Sequence, residues 1–245
     1  MKKLFMILMV LGFITVSAQY ATAQAANAAD TELTGQPIHQ QLKTKFIEGG
    51  AEFMAAILLC LIIGLAVVIE RIIYLSMSST NTKKLLLSVE SALAENGVEA
   101  AKEICRNTRG PVASIFYQGL LRMDDGVDVV EKAVVSYGSV QMGQLEKGLT
   151  WVQLFIAVAP MLGFLGTVLG MIKAFDDIQA AGDISPTIVA EGMKVALITT
   201  VGGLIVAIIL QFFYNYLVSR VDSIVNDMED ASISLIDIIV KSSKK

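Results

Sequence analysis

The chain has 245 residues, of which 54% are hydrophobic and only 17% are charged, and its mean hydropathy is +0.64. This composition predicts an integral membrane protein and excludes an ordinary soluble globular protein. A formal net charge of −4 leaves no basic excess, so we expect no nucleic-acid partner. The sequence also lacks metal-ligand spacings, a glycine-rich phosphate loop and a nucleophile–base pair, so we expect no metal, no cofactor and no enzymatic activity.

The N-terminal segment, residues 1–25, has the three parts of a secretory signal peptide. Two lysines precede the apolar run Leu4–Val16, and small residues around Ala23 offer a cleavage site. The alternative is an uncleaved additional membrane helix. A signal peptide would place the mature N-terminus in the periplasm, where residues 26–50 are expected to form a polar arm with an interfacial helix around Gln40–Glu48.

The first retained span is predicted at residues 51–75, which are long and apolar enough to cross a bilayer. Glu70 and Arg71 lie near its far end, which a periplasmic N-terminus would place in the cytoplasm, in accord with the positive-inside rule. We interpret the two residues as a charged collar at the membrane interface. The alternative is an internal proton site, although long charged side chains at helix ends usually reach to water.

Residues 76–149 are polar enough to be soluble and place their apolar side chains at helical spacing. We therefore expect a small helical cytoplasmic domain, with amphipathic helices at Lys83–Glu95 and Glu99–Arg106. Its last helix, from Val127, is predicted to run without a break into the next span at Trp151.

The second span, residues 150–175, has no ionisable side chain between Trp151 and Ile172. It contains Pro160 and a stripe of small residues near one helical face, namely Gly163, Gly166, Thr167 and Gly170. Such a stripe allows another backbone to approach closely. Ordinary packing in a membrane bundle is the alternative to a specialised site.

Residues 176–187 are predicted to form a periplasmic loop that leads into the third span, residues 188–216. That span carries a second small-residue face with Thr199 alongside, formed by Ala196, Thr200, Gly203 and Ala207. Two antiparallel spans therefore each present threonine, which we expect near mid-membrane. Threonine can orient water or a carboxylate but does not ionise, so a proton carrier would have to come from a second subunit. The alternative places an internal site at Glu191 or Lys194.

Beyond the third span, residues 217–245 continue as a predicted cytoplasmic helix. Its apolar residues alternate spacings of four and three, which is typical of a helix that presents a seam to another helix. These residues are Leu217, Val221, Ile224, Met228, Ala231, Leu235 and Ile238. The seam is equally compatible with a partner helix and with this chain's own cytoplasmic domain.

Five motifs occur in a fixed order along these spans. They are Glu70-Arg71-Ile72, Leu145-Glu146-Lys147-Gly148-Leu149, Ala159-Pro160-Met161-Leu162-Gly163-Phe164-Leu165-Gly166-Thr167-Val168, Gly192 with Ala196-Leu197-Ile198-Thr199-Thr200 and Gly203-Leu204, and Tyr214-Asn215. The ordered set resembles the ExbB/TolQ/MotA proton-channel family, and the resemblance covers roughly residues 51–221.

The resemblance implies a three-span subunit that forms a ring, a pentamer in the ExbB and TolQ branches, around the transmembrane helices of an ExbD or TolR partner. In that family the partner's membrane aspartate carries protons and the work passes to TonB or TolA. Matched to the motifs, Thr167 and Thr200 face the pore, and Thr199 alongside them is a third expected pore-lining residue. Helix packing is implied for Pro160, Gly163, Gly166, Gly170 and Gly203.

The chain departs from the family pattern at two positions. Val195 stands where many members have a glutamate, and no proline occurs near Ile208 and Ile209. The first departure strengthens the dependence on a partner carboxylate, and the second alters only the expected helix bend.

The sequence therefore predicts an all-α membrane protein with three transmembrane helices and a helical cytoplasmic domain. We expect an ExbB-like, proton-motive-force-driven subunit of the bacterial inner membrane that serves a TonB-like protein. A TolQ-like subunit is the alternative within the family, a motility stator fits less well because that branch has four spans, and a non-conducting membrane scaffold is the alternative outside it.

Overall fold

The computed structural model describes residues 38–182 and 186–243, and all regular structure in these ranges is helical. The predicted signal peptide and residues 26–37 of the predicted periplasmic arm lie outside the described residues. The chain divides into two compact units, Met1–Lys45 and Phe46–Lys245. In the first unit only the start of a helix is described, in which the Thr44 hydroxyl donates to the Gln40 carbonyl at 3.0 Å.

Eight α-helices follow one another in the described ranges. They are α1 (Ile38–Glu48), α2 (Ala51–Ser78), α3 (Thr82–Glu95), α4 (Gly97–Asn107), α5 (Pro111–Leu121), α6 (Val127–Glu146), α7 (Leu149–Ala181) and α8 (Pro186–Ser243). A short 3₁₀ turn, Met123–Asp125, joins α5 to α6.

Three of these helices are long and apolar enough to cross a membrane, α2, α7 and α8. This confirms the predicted all-α fold with three membrane-spanning helices. With 58 residues, α8 is about 87 Å long at 1.5 Å per residue. A bilayer core is only about 30 Å thick, so α8 extends far beyond it.

Helices α3 to α6 form a polar domain between the first two spans, and the C-terminal half of α8 packs on this domain. Phe116 lies at its centre with no exposed surface. The α8 residues buried in this core are Leu217, Val221, Ile224, Met228, Ala231, Leu235 and Ile239. The predicted seam thus lies on this chain's own domain, and Ile239 takes the buried place predicted for Ile238.

The ends of the domain helices follow local sequence signals. The Asn81 side chain accepts a hydrogen bond from the Lys84 backbone N–H at 3.1 Å and so caps α3. Gly110 has φ = 118°, a value that favours glycine, and Pro111 begins α5 at a position where its missing N–H costs nothing.

The prediction of one continuous helix from Val127 into the second span is wrong. Helix α6 ends at Glu146 and α7 begins at Leu149, because Gly148 adopts a left-handed conformation with φ = 90°. Such a residue ends the regular hydrogen-bonding pattern of a helix. The apolar periodicity continues across the break, which explains why the pattern alone indicated an unbroken helix.

The predicted loop at residues 176–187 is also too long. Helix α7 continues through Asp176 and Asp177 to Ala181, and α8 begins at Pro186. The two aspartates are exposed, and charged side chains are compatible with a helix that has left the hydrocarbon region. Gly182, with φ = 70°, donates its N–H to the Ile178 carbonyl at 3.1 Å and ends α7.

Candidate functional site

Helices α7 and α8 approach each other so closely that several positions have room only for glycine. A Cβ atom added to Gly203 would lie 2.5 Å from the Ala159 carbonyl oxygen, and one added to Gly163 would lie 2.9 Å from the Thr199 carbonyl oxygen. Gly166 is equally tight, at 2.8 Å from the Thr199 hydroxyl oxygen. Backbone contacts of this kind are typical of membrane helices, where small residues permit close van der Waals packing.

The remaining predicted packing residues lie beside this contact. At Gly170 the nearest atom to an added Cβ is the Ala196 Cβ at 3.4 Å, an ordinary packing distance. Pro160 is half-buried inside α7. Because proline has no N–H, the carbonyl four residues earlier lacks its helical hydrogen bond. Its neighbour Ala159 has no exposed surface and packs against Gly203.

The glycine contact brings two threonine hydroxyls together across the helices. Thr167 and Thr200 form a hydrogen bond through their Oγ1 atoms. Thr167 Oγ1 also lies 3.0 Å from the Ala196 carbonyl of α8 and 3.2 Å from the Gly163 carbonyl of α7. Thr200 Oγ1 lies 3.3 Å from the Gly163 carbonyl and 3.4 Å from that of Ala196.

In the threonine pair, Thr167 and Thr200, each hydroxyl can change the acceptor to which it donates by rotating its hydrogen, while the oxygen atoms stay in place. Each hydroxyl has one hydrogen and can accept from others, and two carbonyls lie within reach of both. When both hydrogens point to the carbonyls, the hydroxyl oxygens are free to accept a hydrogen bond from a new group. When one hydroxyl rotates, it can donate instead. Both residues are half-buried, so one side of the pair is accessible from outside the chain.

Thr199 occupies a different position from the threonine pair. It has no exposed surface, and its hydroxyl donates to the Ala196 carbonyl of its own helix at 2.7 Å. Its side chain packs against Gly166. The structure therefore places Thr199 in the packing contact between the helices, not on the accessible surface predicted for it.

The threonine pair lies close to one end of an uncharged stretch. No charged residue occurs in residues 148–172 of the second span or 195–219 of the third. We call the side of the α7–α8 turn the turn end and the side of the α3–α6 domain the domain end. Towards the turn end, each of the two threonines is six residues from a lysine. Towards the domain end, each is 20 residues from a basic residue. At 1.5 Å per residue these separations are about 9 Å and about 30 Å. Within the uncharged stretch the pair is therefore nearer the turn end than the domain end.

Two charged residues at the turn end of α8 were alternative sites for a proton. Glu191 is exposed. Lys194 forms an ion pair with Glu48 at 2.8 Å, and about half of the Lys194 side chain is exposed. An added Cβ on the neighbouring Gly49 would lie 2.8 Å from an Ile198 methyl group. These contacts fasten the turn between α1 and α2 to α8.

At the domain end, Arg71 connects its own helix, α2, to the break between α6 and α7. Its guanidinium donates to the Glu70 carboxylate at 2.5 Å and to the Lys147 carbonyl at 2.8 Å. It also lies 4.6 Å from the centre of the Tyr74 ring. Arg71 is 9% exposed, whereas the Glu70 side chain is 57% exposed. The predicted charged collar therefore also fastens α2 to the break between α6 and α7, a contact that sequence spacing did not reveal.

Comparison with known protein families shows which family has this sequence pattern. The model of the MotA/TolQ/ExbB proton channel family matches residues 107–230, which include the threonine pair and the break at Gly148. The chain belongs to the MotA/TolQ/ExbB proton channel family. Membership confirms the resemblance drawn from the ordered motifs.

Individual members of the MotA/TolQ/ExbB family show the extent of the similarity. A putative biopolymer transport protein ExbB homolog from Methanothermobacter thermautotrophicus is 35% identical over 170 residues, which are 69% of this chain and 60% of that protein. ExbB-like protein 1 from Synechocystis is 30% identical over 183 residues, 73% of this chain and 71% of that protein. Biopolymer transport protein exbB1 from Vibrio cholerae is 42% identical over 69 residues, 28% of this chain and 30% of that protein. This chain thus spans less than two thirds of the length of the first relative.

The side chains at the site limit the chemistry that it can perform. Within residues 38–182 and 186–243, no group of three histidine, cysteine or carboxylate side chains could hold a metal ion. The threonine pair offers hydrogen-bond donors and acceptors in a surface that carries no ionisable group. Such a surface can bind a carboxylic acid or orient water, but it cannot itself take up a proton.

Proposed function

We propose that this chain is an ExbB-like subunit that uses the proton-motive force to drive work at the bacterial envelope. The observation that carries the proposal is the accessible threonine pair, Thr167 and Thr200, in a stretch without ionisable groups. In this proposal an ExbD-like partner supplies an aspartate that carries the proton. The work passes to a TonB-like protein and energises transport across the outer membrane.

The chemistry of the pair suits such a partner. An ionised aspartate accepts hydrogen bonds, and a protonated one donates a hydrogen bond. Because each threonine hydroxyl can do either, the pair can hold both forms of the carboxyl group at one position. The proton then changes the charge of the partner without the loss of a hydrogen bond, and an unpaired polar group in the membrane would be costly.

The arrangement in the membrane follows from the same proposal. A homo-oligomeric ring, a pentamer as in the ExbB and TolQ branches, would surround the partner helices and turn the threonine pairs towards them. The mature N-terminus and the α7–α8 turn would lie in the periplasm, and the α3–α6 domain with the end of α8 in the cytoplasm. A proton that falls through 100 mV releases about 2.3 kcal/mol, so several protons are needed for one sizeable mechanical step.

Two alternatives make different predictions. A TolQ-like subunit would have the same site, and the ExbB names of the three relatives favour the ExbB branch. A non-conducting scaffold would need the glycine contact but not the hydroxyl groups. If the chain were a scaffold, removal of the hydroxyl groups would leave its assembly and its function unchanged.

The test measures proton flux into proteoliposomes that contain the purified complex of this chain with its acidic partner. We expect Thr200→Val to abolish flux while the ring still assembles, because valine keeps the shape and removes the hydroxyl. Thr200→Ser is the matched control and should retain most of the flux. Normal flux in Thr200→Val would reject the role of the threonine pair, and absence of flux in the unaltered complex would favour the scaffold.

A further inference from the structure

The two sides of the threonine pair differ in how far a proton must travel through an uncharged segment. Towards the turn end the distance is about 9 Å, and towards the domain end it is about 30 Å. Hydrogen bonds between heavy atoms span only about 3 Å, so the long side needs intermediate polar groups or a chain of water molecules. Residues that could hold such water are therefore expected between the pair and the domain end.

Two glutamines lie on this long side, one in each helix. Gln153 precedes Thr167 by 14 residues in α7, and Gln211 follows Thr200 by 11 residues in α8. These spacings correspond to about 21 Å and about 16 Å along the helices. Both glutamines are exposed in the single chain.

Each glutamine lies on the same helical face as the threonine of its own helix. With 3.6 residues per turn, a separation of 14 residues leaves an angular offset of about 40°, and one of 11 residues leaves about 20°. Because Thr167 and Thr200 face each other at the accessible side of the α7–α8 contact, Gln153 and Gln211 extend that side towards the domain end.

The hydrogen bonding of the Gln211 amide indicates what surrounds this face. Gln211 Nε2 donates to Asn215 Oδ1 at 3.0 Å. This single bond leaves one amide hydrogen and the carbonyl oxygen of Gln211 available. Lipid tails offer no partner for these groups, and polar atoms without partners are costly in hydrocarbon. Water satisfies an amide at once as donor and acceptor, and an amide does not bind a proton at biological pH, so it cannot trap one.

We propose that Gln153 and Gln211 line a water-filled path that connects the threonine pair to the domain end of the membrane. The path gives the proton its exit on the long side, whereas the short side needs little more than the headgroup water near Lys194. The function of the path rests on the proposed proton flow, but its hydration can be measured independently of flux.

The hydration test uses single cysteines in the full chain with Cys60→Ala and Cys105→Ala, in membranes that contain the complete complex. Gln153→Cys and Gln211→Cys are compared with Leu154→Cys and Phe212→Cys, the adjacent residues on other faces, which are also exposed in the single chain. A membrane-impermeant maleimide is added from the side of the α3–α6 domain. Because the reactive species is the thiolate, which needs water, we expect alkylation at the two glutamine positions to be at least tenfold faster.

Equal rates at all four positions, or slower rates at the two glutamine positions, would overturn the proposed path. These outcomes leave the proposed function untouched, because that depends on the flux of Thr200→Val. A second measurement is the proton flux of the double variant Gln153→Leu and Gln211→Leu, with Leu154→Ala and Phe212→Leu as controls. We expect a loss of at least tenfold in the glutamine variant alone, and unchanged flux in that variant would equally overturn the path.

Discussion

Helix α8 makes two contacts that follow opposite rules. In its first half it meets α7 through glycines and threonines, with carbonyl oxygens of one backbone close to Cα atoms of the other. In its second half it meets α5 and α6 through large apolar residues such as Leu235, which is fully buried. One continuous helix thus carries a backbone contact and a side-chain contact.

The difference reflects the solvent around each half. In water, burying large apolar side chains is strongly favourable, at about 25 cal/mol per Å² of apolar surface. In a bilayer the lipid tails are as apolar as leucine, so packing large side chains gains little. There, close van der Waals contact and hydrogen bonds between helices hold the structure together. The threonine pair therefore arises where the packing itself requires small, hydroxyl-bearing residues.

The largest expected effect breaks the side-chain contact. Phe116 lies at the centre of the α3–α6 core with no exposed surface, so we expect Phe116→Ala to lower the free energy of unfolding by about 3–5 kcal/mol. Denaturant unfolding in detergent micelles measures this loss. Leu121→Ala at an exposed position is the control and should cost less than about 0.5 kcal/mol. Similar losses in both variants would contradict a core built on buried side chains.

The next effect concerns Arg71, which lies where the two kinds of contact meet. Removing its guanidinium leaves the Lys147 carbonyl without a donor, and hydrogen bonds to charged groups contribute about 1.5–3 kcal/mol. We therefore expect Arg71→Met to destabilise the protein by that amount and to increase proteolysis at the break between α6 and α7. Glu70→Gln changes only an exposed partner and should have a smaller effect. If Glu70→Gln were the more damaging variant, the ion pair and not the Lys147 contact would hold the break.

A smaller effect tests the backbone contact through two adjacent glycines. Gly203→Ala places a methyl group against the Ala159 carbonyl, and we expect a loss of about 1–3 kcal/mol. At Gly202 an added Cβ meets only the end of the flexible Met54 side chain, 3.3 Å away, so Gly202→Ala should be close to neutral. Thermal unfolding of the two variants in the same detergent compares them directly. Equal stability would mean that α7 and α8 do not touch at Gly203.

The smallest effect separates the threonines from one another. Thr199 is buried and bonds only within its helix, so Thr199→Val should cost about 1 kcal/mol for one hydrogen bond and leave proton flux nearly unchanged. Thr200→Val is the same substitution at the accessible pair, and we expect it to abolish flux. Measuring flux and melting temperature for both variants sharpens the distinction between packing and pathway. Loss of flux in Thr199→Val without loss of stability would restore Thr199 to the proton pathway.

The sequence by itself determined the features that depend on one segment at a time. Apolar length fixed three membrane-spanning helices, because each must satisfy its own backbone within the bilayer. Local residues such as Asn81 and Pro111 account for the helix ends seen in the structure, because capping depends only on neighbouring residues. The ordered motifs indicated the MotA/TolQ/ExbB family and located the glycine and threonine stripes.

The tertiary structure decided the features that depend on how segments meet. Helical spacing placed Thr199 and Thr200 side by side, but only the position of Gly166 on α7 shows that Thr199 is buried. Spacing also gave α8 an apolar seam without saying what covers it, since a partner helix and the chain's own α5 and α6 offer the same kind of surface. Arg71 donates to the Lys147 carbonyl, which is 76 residues away in the chain. Because the backbone carbonyl is the same group in every residue, no local sequence pattern identifies this one as the partner of Arg71.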